Sequence, residues 1–393
     1  MKPSKEELLE SLRIGLSRVP DERAARGIRH RLTDILTVVV LGVMCNCDSV
    51  EEIADWADDE DNKAWLLDLM KCPHGLPSED TILRVLAVIK PKEFDESLKE
   101  WLVSFKSALP AGDKQIAVDG KTIRGSANRA TGAKGVHVVS AFATATGLSL
   151  LQEVVDVKAN EIVAIPDLLA RLDLRDATVS IDAIGCQREI AAQIVKQQGN
   201  YLLAVKDNQP TLHRDLIAYA EWARDPNPLP ADPRPEFTTF TQIDGGHGRI
   251  EERTAVMLPL SDYISTAKDW KKIAGVGVVE SVRTDKLSGV AGAMERRYFI
   301  FSDTEMTAEK LLRQAREHWA IENKLHWMLD VAFREDDSRI RAGNAAANLS
   351  LVRKLALNLL RGLSLDRKMS LNRKRKACAR RPDRVLAAIA AAL

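Results

Sequence analysis

This sequence predicts a mixed α/β fold: a central sheet of mixed strand direction, with helices before it and after it. Three observations carry that reading. Residues 1–110 have apolar residues at helical spacing together with helix-start signals. From Gln115 the pattern changes to short apolar or alternating runs broken by glycine-containing turns. From Met306 onward helical spacing returns.

The first region opens on an amphipathic, charged segment and continues with the apolar run Ile35–Met44, which reads as a buried helix. At ten residues it is too short to span a membrane. Ser49 followed by Glu52 is a capping box, so a helix carrying Ile53 and Trp56 should begin there. After the loop CPHGLPSED, the segments TILRVLAVIK and EFDESLKEWLVSF form two further helices separated at Pro91. Next, QIAVDGKTI, GVHVVSAFAT and SLLQEVVDV read as three successive strands. NEIVAIPDLLARLDL is a helix, ATVSIDAIG a fourth strand, QREIAAQIVKQQG a helix and NYLLAVKDN a fifth strand. The order β-β-β-α-β-α-β is the ribonuclease-H-like plan, in which the first and fourth strands are neighbours.

A helix over TLHRDLIAYAEWARD ends in the proline-rich break DPNPLPADPRPE. Four more β-type runs follow between 236 and 302, an insertion that need not interrupt the sheet. The expected organisation is therefore a helical region at 1–110 for DNA binding or assembly and the first part of the core at 111–225. An inserted β-rich region at 226–304, a core helix at 305–345 and a basic helical tail at 346–393 complete it.

The chain has 393 residues, 45% hydrophobic and 29% charged, enough for a sizeable core. Five cysteines without a paired framework suit a reducing compartment, and the N-terminal stretch lacks a signal-peptide apolar core. A formal net charge of +1 conceals a gradient. Residues 1–110 carry 15 Lys and Arg against 21 Asp and Glu, whereas residues 339–393 carry 14 against 2. So basic a segment suggests an anionic partner, nucleic acid being the commonest, or else a solvated tail.

Three acids stand out. Asp119 in IAVDGK and Asp182 in VSIDAIGC each close a short β-type run, and Glu322 lies in the aromatic segment REHWAIENKLHWMLDVAFREDDSR. Carboxylates from two strand ends and a helix suit two Mg²⁺ ions in phosphodiester chemistry, with Mn²⁺ as a substitute. Cations close to these acids are candidates for phosphate contacts: Lys121 and Arg124 after Asp119, and Arg316 and Arg339 around Glu322. Lys206, Asn208 and Gln209 in KDNQP, and His247 and Arg249 in GGHGRIEER, are further DNA-contact candidates. So are Arg373, Lys374, Arg375 and Lys376 in the tail, where six basic residues counting Arg380 and Arg381 could each meet a phosphate. At i, i+4 and i+8, His318, Glu322 and His326 would share one face of a regular helix, which leaves open a His–Glu transition-metal pair.

Taken together, AVDGKTIRGS, SIDAIGCQ, YLLAVKDNQP, HGRIEER and the run from Arg316 to Arg339 resemble the H-repeat-associated transposases of bacterial insertion sequences, a branch of the DDE transposases. The resemblance extends to PSEDTILRV and NLSLVRKLALNLLR, so it spans nearly the whole chain. It implies a triad of Asp119, Asp182 and Glu322, dependence on Mg²⁺, and binding to the terminal inverted repeats of an element and to target DNA. It further implies a homo-oligomer when assembled on DNA, in the bacterial cytoplasm and close to the nucleoid. A related larger group carries Tyr, Arg, Glu and Lys at set spacing on its catalytic helix. Here His318 stands four before Glu322 and Leu329 seven after it, which leaves open the hairpin route of excision. Two other functions remain compatible with these residues: a catalytically inactive DNA-binding regulator, and a structure-selective nuclease of the same fold.

Overall fold

The computed structural model describes residues 5–23, 28–70, 72–103, 114–128, 130–155, 161–225, 234–246, 248–365 and 368–392. His247 lies outside them. The chain divides into two compact units. The first comprises residues 1–110, 120–160 and 322–393, and the second residues 111–119 and 161–321.

Six helices begin the first unit: α1 (Lys5–Ser17), α2 (Leu32–Met44), α3 (Val50–Asp58), α4 (Glu60–Met70), α5 (Glu79–Val88) and α6 (Pro91–Val103). The Ser49 cap forms as the sequence predicts, its side chain accepting from the Glu52 amide. The Glu52 carboxylate reaches back one residue further, to the Asp48 amide at 2.6 Å. Pro91 starts α6, a position where its missing N–H costs nothing.

The chain then enters strand β1 (Lys114–Thr122), whose last residues belong to this unit, and forms the antiparallel pair β2 (His137–Ala143) and β3 (Leu148–Val155). After the second unit come helices α11 (Trp327–Phe333), α12 (Ala345–Gly362), α13 (Leu371–Arg380) and α14 (Asp383–Ala392).

Helix α12 organises the unit. Every residue from Ala345 to Leu360 is buried, and it packs on α2, α5, α14 and β3. Several of its polar side chains are tied to neighbouring elements. Asn348 donates to the carbonyls of Leu86 and Ile89 at the end of α5. Lys354 donates to Ser140 and Gln152, and Asn358 exchanges hydrogen bonds with the Ser149 backbone. A buried helix with these teeth has one register against its neighbours, because any slip leaves several polar groups unsatisfied.

The basic C-terminal segment is therefore not simply a solvated tail, and two of the residues expected to meet DNA are structural. Arg375 is fully buried and stacks on the Phe333 ring, 4.3 Å from its centroid. Its guanidinium donates to the carbonyls of Val43, Cys47 and Ala332 and to Asp48 Oδ1. Lys374 caps α12 by donating to Leu360 and Arg361. Arg373 and Lys376, on the other side of α13, are exposed.

The second unit holds the first part of β1 with α7 (Glu161–Ala170), β4 (Ala177–Ile181), α8 (Arg188–Lys196), β5 (Asn200–Val205) and α9 (Pro210–Arg224). Strands β6 (Thr238–Gly246), β7 (Arg249–Pro259), β8 (Gly275–Asp285) and β9 (Glu295–Phe301) follow, then helix α10 (Ala308–His318). Strands β1, β4 and β5 are parallel neighbours, as the sequence order requires. The β-rich region does not stand apart from them. Strand β9 pairs antiparallel with β5, and β8, β7 and β6 continue the same sheet outward. Helix α10 lies across this extension, burying Leu311, Leu312 and Ala315 against Leu202, Ala255, Val279 and Phe299.

If Arg375 is a structural residue, Arg375→Met should cost about 3 kcal/mol, since it strands several buried acceptors and the Asp48 carboxylate. Arg373→Gln, at an exposed position, should change stability by no more than about 0.5 kcal/mol. Urea unfolding of the two variants distinguishes them; equal small effects would return Arg375 to the surface.

Candidate active site

In the second unit the parallel pairing of β1 with β4 sets Val118 opposite Ile181. The next residue along each chain is an aspartate: Asp182 directly follows β4, and Asp119 lies within β1, three residues before its end, so the two occupy equivalent positions just beyond the paired stretch. A polar ladder beneath α10 secures this register. Gln115 donates to Ser180 Oγ at 2.8 Å and to the Gln314 carbonyl at 2.9 Å, while Gln314 reaches Thr178. One turn on, His318 Nδ1 lies 3.1 Å from Ser180 Oγ. The last turn of α10 is thus tied to β4 two residues before Asp182.

The turn after Asp182 is built tightly. Asp182 Oδ1 accepts from the Ile184 amide. A Cβ on Gly185 would fall 2.3 Å from Ile181 Cγ2 and 3.0 Å from Ile165 Cδ1 of α7, so this position demands glycine. Ile165 and the buried Glu161 are four residues apart on one face of α7. Burial, and then the negative charge of Glu161, push the Asp182 carboxyl above the usual carboxylate range, against its two backbone hydrogen bonds and Lys206. Carboxylates at equivalent positions on two adjacent strands are hard oxygen donors of the kind a divalent cation takes. Among the described residues, no three His, Cys, Asp or Glu side chains converge closely enough to hold an ion on their own. Glu161 escaped the sequence reading because it begins a helix and closes no strand.

Several expected DNA contacts have other occupations. Asn208 donates to the Ala183 carbonyl and Gln209 to that of Cys186, so this pair pins the turn after β5 onto the Asp182 loop. Arg316 is held by β6, donating to Gln242 at 2.7 Å and pairing with Asp244 at 2.9 Å. Lys206 and Arg249 are exposed.

In the first unit Lys121 is enclosed by carboxylates: Asp330 at 2.7 Å, Glu335 at 3.0 Å and Asp336 at 3.1 Å. In this arrangement it acts as a strut. It fastens the residues directly after Asp119 to the segment that begins at Glu322. Burial disfavours a charged Glu335, but Lys121, Arg353 and Lys354 outweigh it and hold the carboxyl below its usual range. Arg124 is exposed beside Asp336, and Arg339 is exposed.

The regular helix expected through Glu322 is not continuous. Helix α10 ends at His318, and Glu322–His326 form a π-helical turn before α11. Within this wider turn Glu322 and His326 no longer stand as i and i+4 of an α-helix. Glu322 is exposed, whereas His326 is buried. Burial pushes the His326 imidazole down to about 3 and that of His318 to about 4.

The family model described as Transposase DDE domain matches residues 110–359. The chain belongs to the DDE transposase family. Residues 15–102 match the companion region described as DDE_Tnp_1-associated. The protein is 37% identical over 359 residues to "Putative protein YbfL" of Escherichia coli (strain K12), covering 90% of each chain. It is 36% identical over 359 residues to "H repeat-associated putative transposase YhhI" of the same strain, again with 90% of each chain covered. To "Putative transposase YncI" of Escherichia coli O157:H7 it is 37% identical over 354 residues, covering 90% of this chain and 88% of the relative. Membership makes the fold ribonuclease-H-like, DNA the partner and divalent metal ions the cofactor class. Among the described residues no helix is long and apolar enough to cross a membrane.

The buried His326 generates a pH dependence. Its folded pKa of about 3 lies below the ordinary 6.5, so the unfolded chain binds the proton more readily. Its contribution is nil above pH 6.5 and becomes increasingly destabilising as pH falls towards 3. At pH 5 the loss should be about 2 kcal/mol, and His326→Gln should reduce that part of the acid sensitivity. Urea midpoints of both proteins between pH 7 and pH 5 check this; parallel curves would contradict it.

Proposed function

We propose that this protein cleaves the ends of an insertion sequence and joins them to target DNA, with Asp119, Asp182 and Glu322 as the acids of its metal site. The observation that carries the reading is the β1–β4 register, which gives two aspartates equivalent positions on adjacent strands. Mg²⁺ needs only one or two protein carboxylates when substrate phosphates complete its octahedron. The two aspartates fit that need, and two Mg²⁺ ions, replaceable by Mn²⁺, are the proposed complement. Glu322 is assigned as the third acid on the Arg316–Arg339 motif that contains it, supported by its exposure at the first residue of the π-helical turn.

Bound there, divalent cations supply an activated water or 3′-hydroxyl and stabilise the leaving 3′ oxygen. The chain's own residues provide placement. The Gln115–Ser180–Gln314 ladder fixes the strand register, Asn208 and Gln209 hold the Asp182 turn, and Lys121 braces the segments adjoining Asp119 and Glu322. Glu161 adds negative charge next to Asp182 and would raise the affinity for a cation. The proposed substrate is the element's terminal inverted repeats together with target DNA, bound by a homo-oligomer in the bacterial cytoplasm.

The test is incubation with the DNA flanking the gene in the presence of Mg²⁺, with mapping of cut and joined ends. Asp119→Asn, Asp182→Asn and Glu322→Gln should each abolish cutting, a loss of at least about 10³-fold, while leaving duplex binding within about threefold of the parent. A variant that cuts at the parental rate removes its residue from the site. Binding without cutting by the unaltered protein would favour the inactive regulator.

A further inference from the structure

Two segments of the first unit meet at Gly125. A Cβ there would lie 2.4 Å from the Ser338 carbonyl oxygen and 2.6 Å from that of Asp336, so only glycine allows the approach. Next to this contact opens a groove of ≈ 690 Å³ whose walls carry Arg124, Arg334, Arg339 and Arg341 with Asp336 and Asp337. Both aspartates are already engaged. Asp336 Oδ1 accepts from Lys121 at 3.1 Å and from the Arg124 amide at 3.2 Å, and its Oδ2 lies 3.4 Å from Arg124 Nε. Asp337 Oδ2 accepts from Arg334 at 3.1 Å. Arg341 braces one wall, donating to the Ala127 carbonyl at 2.9 Å and the Gly125 carbonyl at 3.2 Å. Arg339 is exposed and has no side-chain partner among the described residues, and the Arg124 side chain is 84% exposed.

We propose that this groove holds the phosphodiester backbone of DNA and reads no bases. The proposal rests on the transposase reading for the identity of the anion. Four arginines against two aspartates leave the groove walls with a positive excess, carried at its most exposed by Arg124 and Arg339. Guanidinium groups present planar forks suited to phosphate oxygens. No aromatic side chain lines the groove, which removes base stacking as a source of affinity. Gly125, Ala127 and Ala130 keep one wall low, so a sugar–phosphate chain can lie close to the protein backbone. Sequence alone pointed to Arg124 and Arg339; Arg334 and Arg341 join them only through the fold.

The experiment titrates the full chain into a fluorescein-labelled duplex, without divalent metal, over a series of salt concentrations. Arg124→Gln/Arg339→Gln should reduce the slope of log K against log salt by about 2, near 0.9 per phosphate contact removed, and equally on unrelated sequences. Ala130→Glu, which adds a carboxylate to the exposed wall, should weaken binding on every sequence while keeping the parental unfolding midpoint. Metal-dependent nicking by the unaltered protein is measured in parallel. If it nicks and binds while both variants keep its slope and affinity, the groove assignment fails and the transposase reading stands. If the unaltered protein neither nicks nor binds duplex, both fail.

Discussion

The parallel pairing of β1 with β4 is the constraint on which the account depends. Parallel strands cannot be joined by a tight turn, so about sixty residues separate Asp119 from Asp182 and only the sheet unites them. With Val118 opposite Ile181, each aspartate follows the last residue of its own strand paired across β1 and β4. A slip of one residue would turn one carboxylate to the opposite face. The protein guards against that slip with buried polar contacts: Gln115 donates to Ser180 and to the Gln314 carbonyl, and Gln314 donates to Thr178, in this register. Precision at the strand ends is thus set below them, where water is excluded.

Charge has two separate uses in this chain. Much of the basic excess late in the sequence is structural: Arg353, Lys354 and Arg375 are buried, Lys374 caps a helix and Arg341 braces a loop. The Lys121 cluster is similar, a cation surrounded by three carboxylates that tie the end of a strand to a helix. Replacing such pairs by removing one partner is costly because the other is left buried and uncompensated. What remains for a polyanion is a smaller set of exposed cations, among them Arg339, Arg373 and Lys376.

Much of the fold was legible because its signals are periodic. All five core strands, the helices between them and the Ser49 cap follow from alternation, apolar runs and turn residues. The adjacency of the two aspartates was legible through strand order alone. Other features left no local trace. The π-helical turn at Glu322 inserts backbone width without a change in residue type, so helical counting ran through it. Whether Arg375 or Lys121 faces water depends on distant carbonyls and carboxylates that composition cannot locate. The β-rich region looked separable because its strands alternate by themselves, yet hydrogen bonding along the free edge of β5 joins them to the sheet. Asn208 and Gln209 resembled exposed turn residues, and only the neighbouring loop reveals what they hold.

The central claim is that the residues just beyond the β1–β4 pairing, Asp119 and Asp182, belong to a divalent-metal site. Localised backbone cleavage by Fe²⁺ and ascorbate tests it directly, since Fe²⁺ accepts carboxylate and water ligands and its radicals cut the nearest peptide bonds. With the full chain on its own DNA, cuts should appear next to Asp119, Asp182 and Glu322. Excess Mg²⁺ should suppress them, and Asp182→Asn should eliminate them. Cuts confined to other segments, or cuts beside Asp119 and Asp182 that Mg²⁺ does not suppress, would contradict the account.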